Sequence, residues 1–66
     1  MVVKIIEILG VSEESFDDAI KQGIERASKT VKNITGVDII GKTGDVKDGK
    51  ITQYRVNMKL CFVVEE

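Results

Sequence analysis

The feature that most limits the fold of this chain is a regular alternation of side chains over residues 51 to 64. Every second residue of this segment belongs to a mainly apolar set, and most of the residues between them are polar. A period of two is typical of a β-strand that packs one face against a core. The set predicted to face the core comprises Thr52, Tyr54, Val56, Met58, Leu60, Phe62 and Val64.

A hairpin is predicted to lead into this strand. Asp48-Gly49 is a pair typical of two-residue type I′ turns, and such a loop pairs Lys47 with Lys50. Continued along the hairpin, this register places Lys42 directly opposite Arg55. Like charges at opposed sites repel, unless the side chains splay into water or an anion or a neighbouring chain separates them.

The first half of the chain predicts one strand and one helix. Residues 2 to 9, VVKIIEIL, are β-branched and apolar, as in a strand. Over about residues 13 to 33, apolar residues recur at steps of three and four, which predicts a helix with Ser12 as its N-cap. Gly36 is expected to close this helix. Gly23 lies inside the apolar stripe, where we expect it to let the sheet approach closely.

The predicted element order is β-α-β-β, which indicates an α+β fold in one domain over residues 1–66. We expect a three-stranded antiparallel sheet curled over one long helix, with the last strand in the centre. One helix covers only one face of such a sheet. The other face is expected to carry apolar residues that are too numerous to stay wet in a monomer, namely Val2, Ile6, Ile8, Ile40 and Val46. Closed homo-oligomerisation is the predicted solution.

Composition supports the same expectation. A chain of 66 residues buries little surface on folding, so its core alone gives marginal stability and a further source of stabilisation is needed. One cysteine and no histidine rule out a disulfide framework and a structural zinc site, and no metal ligand set is assigned. Self-association is the source of stabilisation that remains.

Charge and hydropathy bound the partners. A net charge of −1 and three aromatic residues give no basis for a nucleic-acid partner. The apolar runs are too short for a membrane span, and no signal-peptide pattern is present, so we expect a cytoplasmic protein without a membrane partner.

Two enzymatic interpretations are weak. Residues 36 to 43, GVDIIGKT, match the phosphate-binding pattern G-x-x-x-x-G-K-[ST], but the intervening residues predict a strand and no helix can begin in the GDVKDGK that follows. Cys61 lacks an evident base, and no carboxylate pair is placed for acid–base work. We therefore expect no catalytic residues and no enzyme activity.

Two segments carry a resemblance to a known family. VVKIIEILGVSEESFDDAI resembles the first strand, turn and helix start of dodecins, and ITQYRVNMKLCFVVEE resembles their last strand. The resemblance covers nearly the whole chain. It implies a non-enzymatic, hollow homododecamer that binds or sequesters a small ligand, often a flavin such as riboflavin or FMN.

The resemblance also places candidate binding residues. Flavin-binding dodecins have a tryptophan just before the second strand and a glutamine in the third, where this chain has Gly36 and Arg55. Loss of one stacking ring costs roughly 1 kcal/mol beyond the lost area. Together with Lys42 from the hairpin register, Gly36 and Arg55 are the candidate cofactor-binding residues, for a flavin or another phosphate-bearing molecule.

An alternative is a structural or calcium-binding assembly without flavin. The departures resemble a branch of the family with Tyr-Arg-Val in the last strand, to part of which metal binding has been attributed. Carboxylates that offer weak calcium sites are Asp38, Asp45 and Asp48, although nothing here matches an EF-hand loop.

Overall fold

A computed structural model describes residues 1 to 64, and the last two residues of the predicted domain lie outside this range. The elements are β1 (Val2–Ser12), α1 (Phe16–Ala27), β2 (Ile34–Lys47) and β3 (Lys50–Val64). The three strands form one antiparallel sheet in the order β1-β3-β2. The predicted α+β class, element order and central position of the last strand are therefore confirmed.

The core lies between α1 and the even-numbered side chains of β3, which we call the helix face. Val56, Met58 and Leu60 are fully buried there against Ala19 of α1. The residues packed around them are Ile6, Ile8, Phe16, Ile20, Ile24, Ala27 and Ile34. The alternation of residues 51 to 64 thus predicted the correct face of β3.

The opposite face of the sheet, which we call the open face, carries the β3 side chains Gln53, Arg55, Asn57, Lys59, Cys61 and Val63. From β1 it receives Glu7, opposite Lys59, and four apolar residues, Val3, Ile5, Leu9 and Val11, which are 49%, 61%, 56% and 40% exposed. As predicted, the face carries exposed apolar residues among its charges, but its β1 residues are the other set. The prediction that Val2, Ile6 and Ile8 lie on this face is wrong, because β1 pairs with β3 so that Ile6 lies beside Leu60 and Ile8 beside Met58.

The hairpin register explains where the candidate residues lie. Lys47 pairs with Lys50, and Asp48 and Gly49 have φ of 53° and 75°, as a type I′ turn requires. Asp38 also lies opposite Lys59 as predicted. Between these ends, irregularities at Asp45/Val46 and at Ile39/Gly41 shift the register by one residue and then restore it.

The helix is shorter than predicted at both ends. Its N-cap is Ser15, whose hydroxyl accepts a hydrogen bond from the Asp18 amide at 2.9 Å, whereas Ser12 still belongs to β1. The helix ends at Ala27, and the Ser28 hydroxyl donates to the Ile24 carbonyl at 2.7 Å. Side-chain bonds of this kind compete with further helical turns. Gly36 therefore does not close the helix but lies within β2.

Two glycines let α1 approach the sheet. A Cβ on Gly23 would lie 3.0 Å from Met58 Cε and 3.5 Å from Gly10 Cα, which confirms the expected close approach. A Cβ on Gly10 would lie 2.2 Å from the Ala19 carbonyl oxygen. Because α1 packs on β1 and β3, the helix-face residues Val37 and Ile39 of β2 remain 43% and 38% exposed.

Candidate ligand-binding site on the open face

A group of polar side chains surrounds Arg55 on the open face. Its Nη1 lies 2.9 Å from Asp45 Oδ1 and donates a hydrogen bond to Gln53 Oε1 at 3.3 Å. Its Nε donates to Thr43 Oγ1 at 3.3 Å. Thr43 lies opposite Arg55 and Asp45 opposite Gln53 in the strand register, so the backbone itself brings the four together. We call Thr43, Asp45, Gln53 and Arg55 the Arg55 cluster.

The cluster holds a flat cation in a defined position and balances its charge. The Arg55 side chain is 27% exposed and that of Asp45 is 53% exposed, so the pair is wet on one side. Guanidinium has five N–H donors, and these contacts engage Nε and Nη1. The Nη2 donors and the guanidinium plane can therefore serve a ligand that has carbonyl acceptors and a ring to stack.

Lys42 lies on the other side of the sheet. It pairs with Val56 of the helix face, and its Nζ lies 5.6 Å from the ring centroid of Phe16. The predicted opposition of Lys42 and Arg55 is wrong, because the irregularity at Ile39/Gly41 inserts one residue and sends Lys42 to the helix face. The repulsion expected between the two cations does not arise.

Lys42 instead belongs to a small aromatic group at the start of α1. The rings of Phe16 and Tyr54 meet edge to face with centroids 4.9 Å apart and an interplanar angle of 82°. The ammonium over the Phe16 face adds a cation–π contact. Through these contacts the start of α1 packs against β2 and β3.

Gly36 lies on the open face but far from Arg55. It pairs with Cys61, and an added Cβ would lie 3.8 Å from Cys61 Cβ, which is ordinary contact. Cys61 and Arg55 are six positions apart on β3, which is about 20 Å along a strand. One chain therefore does not bring the candidates Arg55, Lys42 and Gly36 together, and Gly36 and Arg55 share only a face.

A second polar group fixes the start of α1 to the end of β1. The buried Ser12 hydroxyl donates to Asp18 Oδ2 at 2.6 Å and accepts from the Glu14 amide at 2.9 Å. Gln22 Nε2 also donates to Asp18 Oδ2 at 2.6 Å. The hydrogen bonds from Ser12 and Gln22, in that order, lower the pKa of the Asp18 carboxyl below its usual value.

Residues 1 to 64 contain no group of three or more Cys, Asp or Glu side chains placed to hold a metal ion. In the same part of the chain, α1 has neither the length nor the apolar character of a membrane-crossing helix.

The chain matches a known protein family over nearly its whole length. The sequence profile of the family described as Dodecin matches residues 2–65. The chain belongs to the dodecin family. A curated dodecin of Thermus thermophilus is 29% identical over 65 residues, which cover 98% of this chain and 94% of the relative.

Solved dodecin structures have the same fold. Dodecin from Streptomyces davaonensis is 35% identical, with a TM-score of 0.94 over 98% of this chain and 96% of that one. The calcium-chelating immunodominant antigen of Mycobacterium tuberculosis, described as a calcium dodecin with a novel calcium-binding site, is 30% identical with a TM-score of 0.85. That match covers 98% of this chain and 93% of the antigen.

Within this dodecin fold, Thr43 and Gln53 were missed from the sequence as site residues, and Asp45 was predicted as a weak calcium ligand but not as the partner of Arg55. Thr43 and Asp45 meet Arg55 only because the register shifts by one residue between two irregularities, whereas Gln53 lies two residues from Arg55 on the same face of β3. A signal was available, since isolated glycines inside a strand often mark bulges and Gly41 lies at one of them. The pattern does not state the direction or the extent of such a shift.

Proposed function

We propose that this chain is the subunit of a non-enzymatic homododecameric shell that binds a small planar ligand of the flavin class, riboflavin or FMN, on the open face around Arg55. The observation that carries the proposal is the combination on one uncovered face of exposed apolar side chains from β1 with a positioned guanidinium. Such a face suits both a second copy and a flat ring with polar edges.

Surface area supports the assembly. The chain has 4865 Å² of accessible surface, whereas a folded monomer of 7.3 kDa is expected to have about 4,200 Å². The excess agrees with an extended hairpin and a core of only four fully buried apolar side chains among residues 1 to 64. Burial of the open face between copies supplies the apolar area that one helix leaves uncovered.

The Arg55 cluster supports the ligand class. Arg55 stands where flavin-binding dodecins have glutamine, and its Nη2 donors suit the carbonyl oxygens of an isoalloxazine ring. Asp45, Gln53 and Thr43 hold the guanidinium in place, which lowers the entropy cost of each contact to a ligand. Because Gly36 replaces the stacking tryptophan, binding is expected to be weaker than in dodecins that have the ring, by about tenfold.

Light scattering and flavin fluorescence test the two parts separately. We expect a particle of about twelve times the 7.3 kDa of one chain, and quenching of added riboflavin or FMN at micromolar protein. The Arg55→Ala variant is expected to assemble and to lose the quenching. A single 7 kDa species at high dilution would refute the shell, and an assembled protein that quenches neither flavin would refute the ligand.

Calcium binding is a second candidate, favoured by the similarity to the calcium dodecin of Mycobacterium tuberculosis. Two of the three carboxylates considered for it have basic neighbours, since Asp38 lies opposite Lys59 and Asp45 is paired with Arg55. A calcium site would therefore draw ligands from more than one copy. Titration calorimetry with calcium, and with magnesium as control, tests it; absence of heat up to millimolar calcium would exclude it.

A further inference from the structure

We infer that Asp45 sets the charge preference of the binding site, so that the site takes uncharged ring ligands in preference to phosphate-bearing ones. This inference rests on the proposed function and deepens it. The charges that the fold places around Arg55 support it.

The positive charge of Arg55 is already matched. Asp45 Oδ1 lies 2.9 Å from Arg55 Nη1, and the same nitrogen also donates to Gln53. A phosphate group that approached the guanidinium would come close to the Asp45 carboxylate as well. The repulsion from that carboxylate offsets much of the attraction to Arg55, whereas a neutral carbonyl acceptor meets no such opposition.

No second cation lies nearby on the open face among residues 1 to 64. Lys42, which the GKT motif would offer to a phosphate, lies on the helix face over the Phe16 ring. The strand neighbours of Arg55 are uncharged, with Val11 beside it on β1 and Thr43 beside it on β2. The residues two steps away along β3 are the amides Gln53 and Asn57. The Arg55 cluster itself therefore has one cation and one anion.

Association of two copies leaves the net charge around Arg55 unchanged. In an isologous contact the same patch from two chains meets, so each copy brings one Arg55 and one Asp45. Two clusters brought together still carry no net charge. A ligand held between copies thus meets fixed guanidinium planes, N–H donors and apolar side chains of β1, but little positive potential.

Removal of the carboxylate tests the inference directly. We compare the dissociation constants of riboflavin and FMN by fluorescence quenching for wild type, Asp45→Asn and Asp38→Asn. The last is a matched control, because it removes one carboxylate from the same strand at a site facing Lys59 rather than Arg55. Wild type is expected to bind FMN no more tightly than riboflavin.

In Asp45→Asn the preference is expected to move toward FMN by about threefold to fivefold, which is the size of a partly exposed charge pair. The shift is expected to shrink in high salt. Asp38→Asn is expected to leave the ratio unchanged. Asp45→Ser removes the same charge with a smaller side chain and must move the ratio in the same direction. An unchanged ratio in both Asp45 variants, or an equal shift in Asp38→Asn, overturns the inference.

A second readout needs no flavin, so the two proposals fail separately. Pyrophosphate is titrated while the Arg55 Nε–H resonance is followed by NMR. Asp45→Asn is expected to show a saturable shift at millimolar pyrophosphate that wild type lacks. If no flavin binds, the proposed function fails and this titration alone decides the inference: a shift in the variant only supports it, and equal behaviour of the two proteins overturns it.

Discussion

Replacement of Gly10 with alanine is expected to push the helix off the sheet. The new Cβ would lie 2.2 Å from the Ala19 carbonyl oxygen and 2.9 Å from Met58 Cε. Carbon and carbonyl oxygen normally stay about 3.3 Å apart, so α1 must retreat by about 1 Å. The oxygen belongs to the backbone, so no rotamer change relieves the contact.

The retreat weakens packing over the whole buried core. A gap of about 1 Å forfeits up to half of the attraction between the atoms on its two sides, and overpacking of this kind costs typically about 2 kcal/mol. For a domain of this size that lowers the melting temperature by about 8 to 16 °C. Gly23→Ala is expected to change it little, because the contact at 3.0 Å is with the flexible end of Met58 and alanine gains about 1 kcal/mol in a helix.

Thermal unfolding followed by circular dichroism checks this prediction, with all variants at one subunit concentration because the proposed assembly would contribute to stability. Gly41→Ala is the matched control, since an added Cβ there meets no atom within 4 Å. If Gly10→Ala melts at the same temperature as Gly41→Ala, the close approach of β1 and α1 is not as described and the reasoning is refuted.

Three further predictions concern the helix start and the open face. Because folding lowers the pKa of Asp18, the ionised Asp18 side chain stabilises the fold fully above about pH 5, and this stabilisation is lost as pH falls below about 4. In Asp18→Asn the melting temperature is expected to fall less steeply as the pH is lowered through these values. A pH profile equal to that of wild type would contradict this. A double-mutant cycle of Phe16→Leu and Tyr54→Leu is expected to give a coupling of about 0.5 to 1.5 kcal/mol in denaturant unfolding, from their edge-to-face contact; purely additive effects would argue against that contact. For the proposed shell, Leu9→Lys is expected to raise the concentration at which the subunits dissociate at least about tenfold, since burial of a leucine contributes about 1.5 to 3 kcal/mol. Light scattering on dilution would refute this if the mass stayed equal to that of wild type.

The hairpin shows how far sequence patterns reach. The Asp48-Gly49 turn and the alternation along β3 predicted the pairing of Lys47 with Lys50 and of Asp38 with Lys59, and both are confirmed. Turn type and a period of two are local properties, so they can be read without knowledge of the fold. The predicted register was wrong between these two pairs. The position of an extra residue in a strand depends on the packing and twist of the whole sheet, which the local pattern does not contain.

The predicted ends of the helix were wrong for a related reason. The apolar stripe continues past Ala27, and the stripe alone predicted a helix to about residue 33. In the structure the Asn33 carbonyl accepts a hydrogen bond from the Val63 amide at 3.1 Å, and Asn33 has a φ of 64°. The chain turns there to enter β2 beside β3, and the gain from strand pairing exceeds that of a further helical turn.

By itself, the amino-acid sequence determined the element order, the turn, the core face of β3 and the apolar character of the open face, because each follows from short-range periodicity and side-chain type. Only the tertiary structure decided which face Lys42 occupies and which β2 residues lie beside Arg55. One inserted residue in β2 sends Lys42 to the helix and leaves Arg55 paired with Asp45. The physical reason is that side chains alternate along a strand, so a shift of one residue, set by long-range pairing, exchanges the two faces of the sheet.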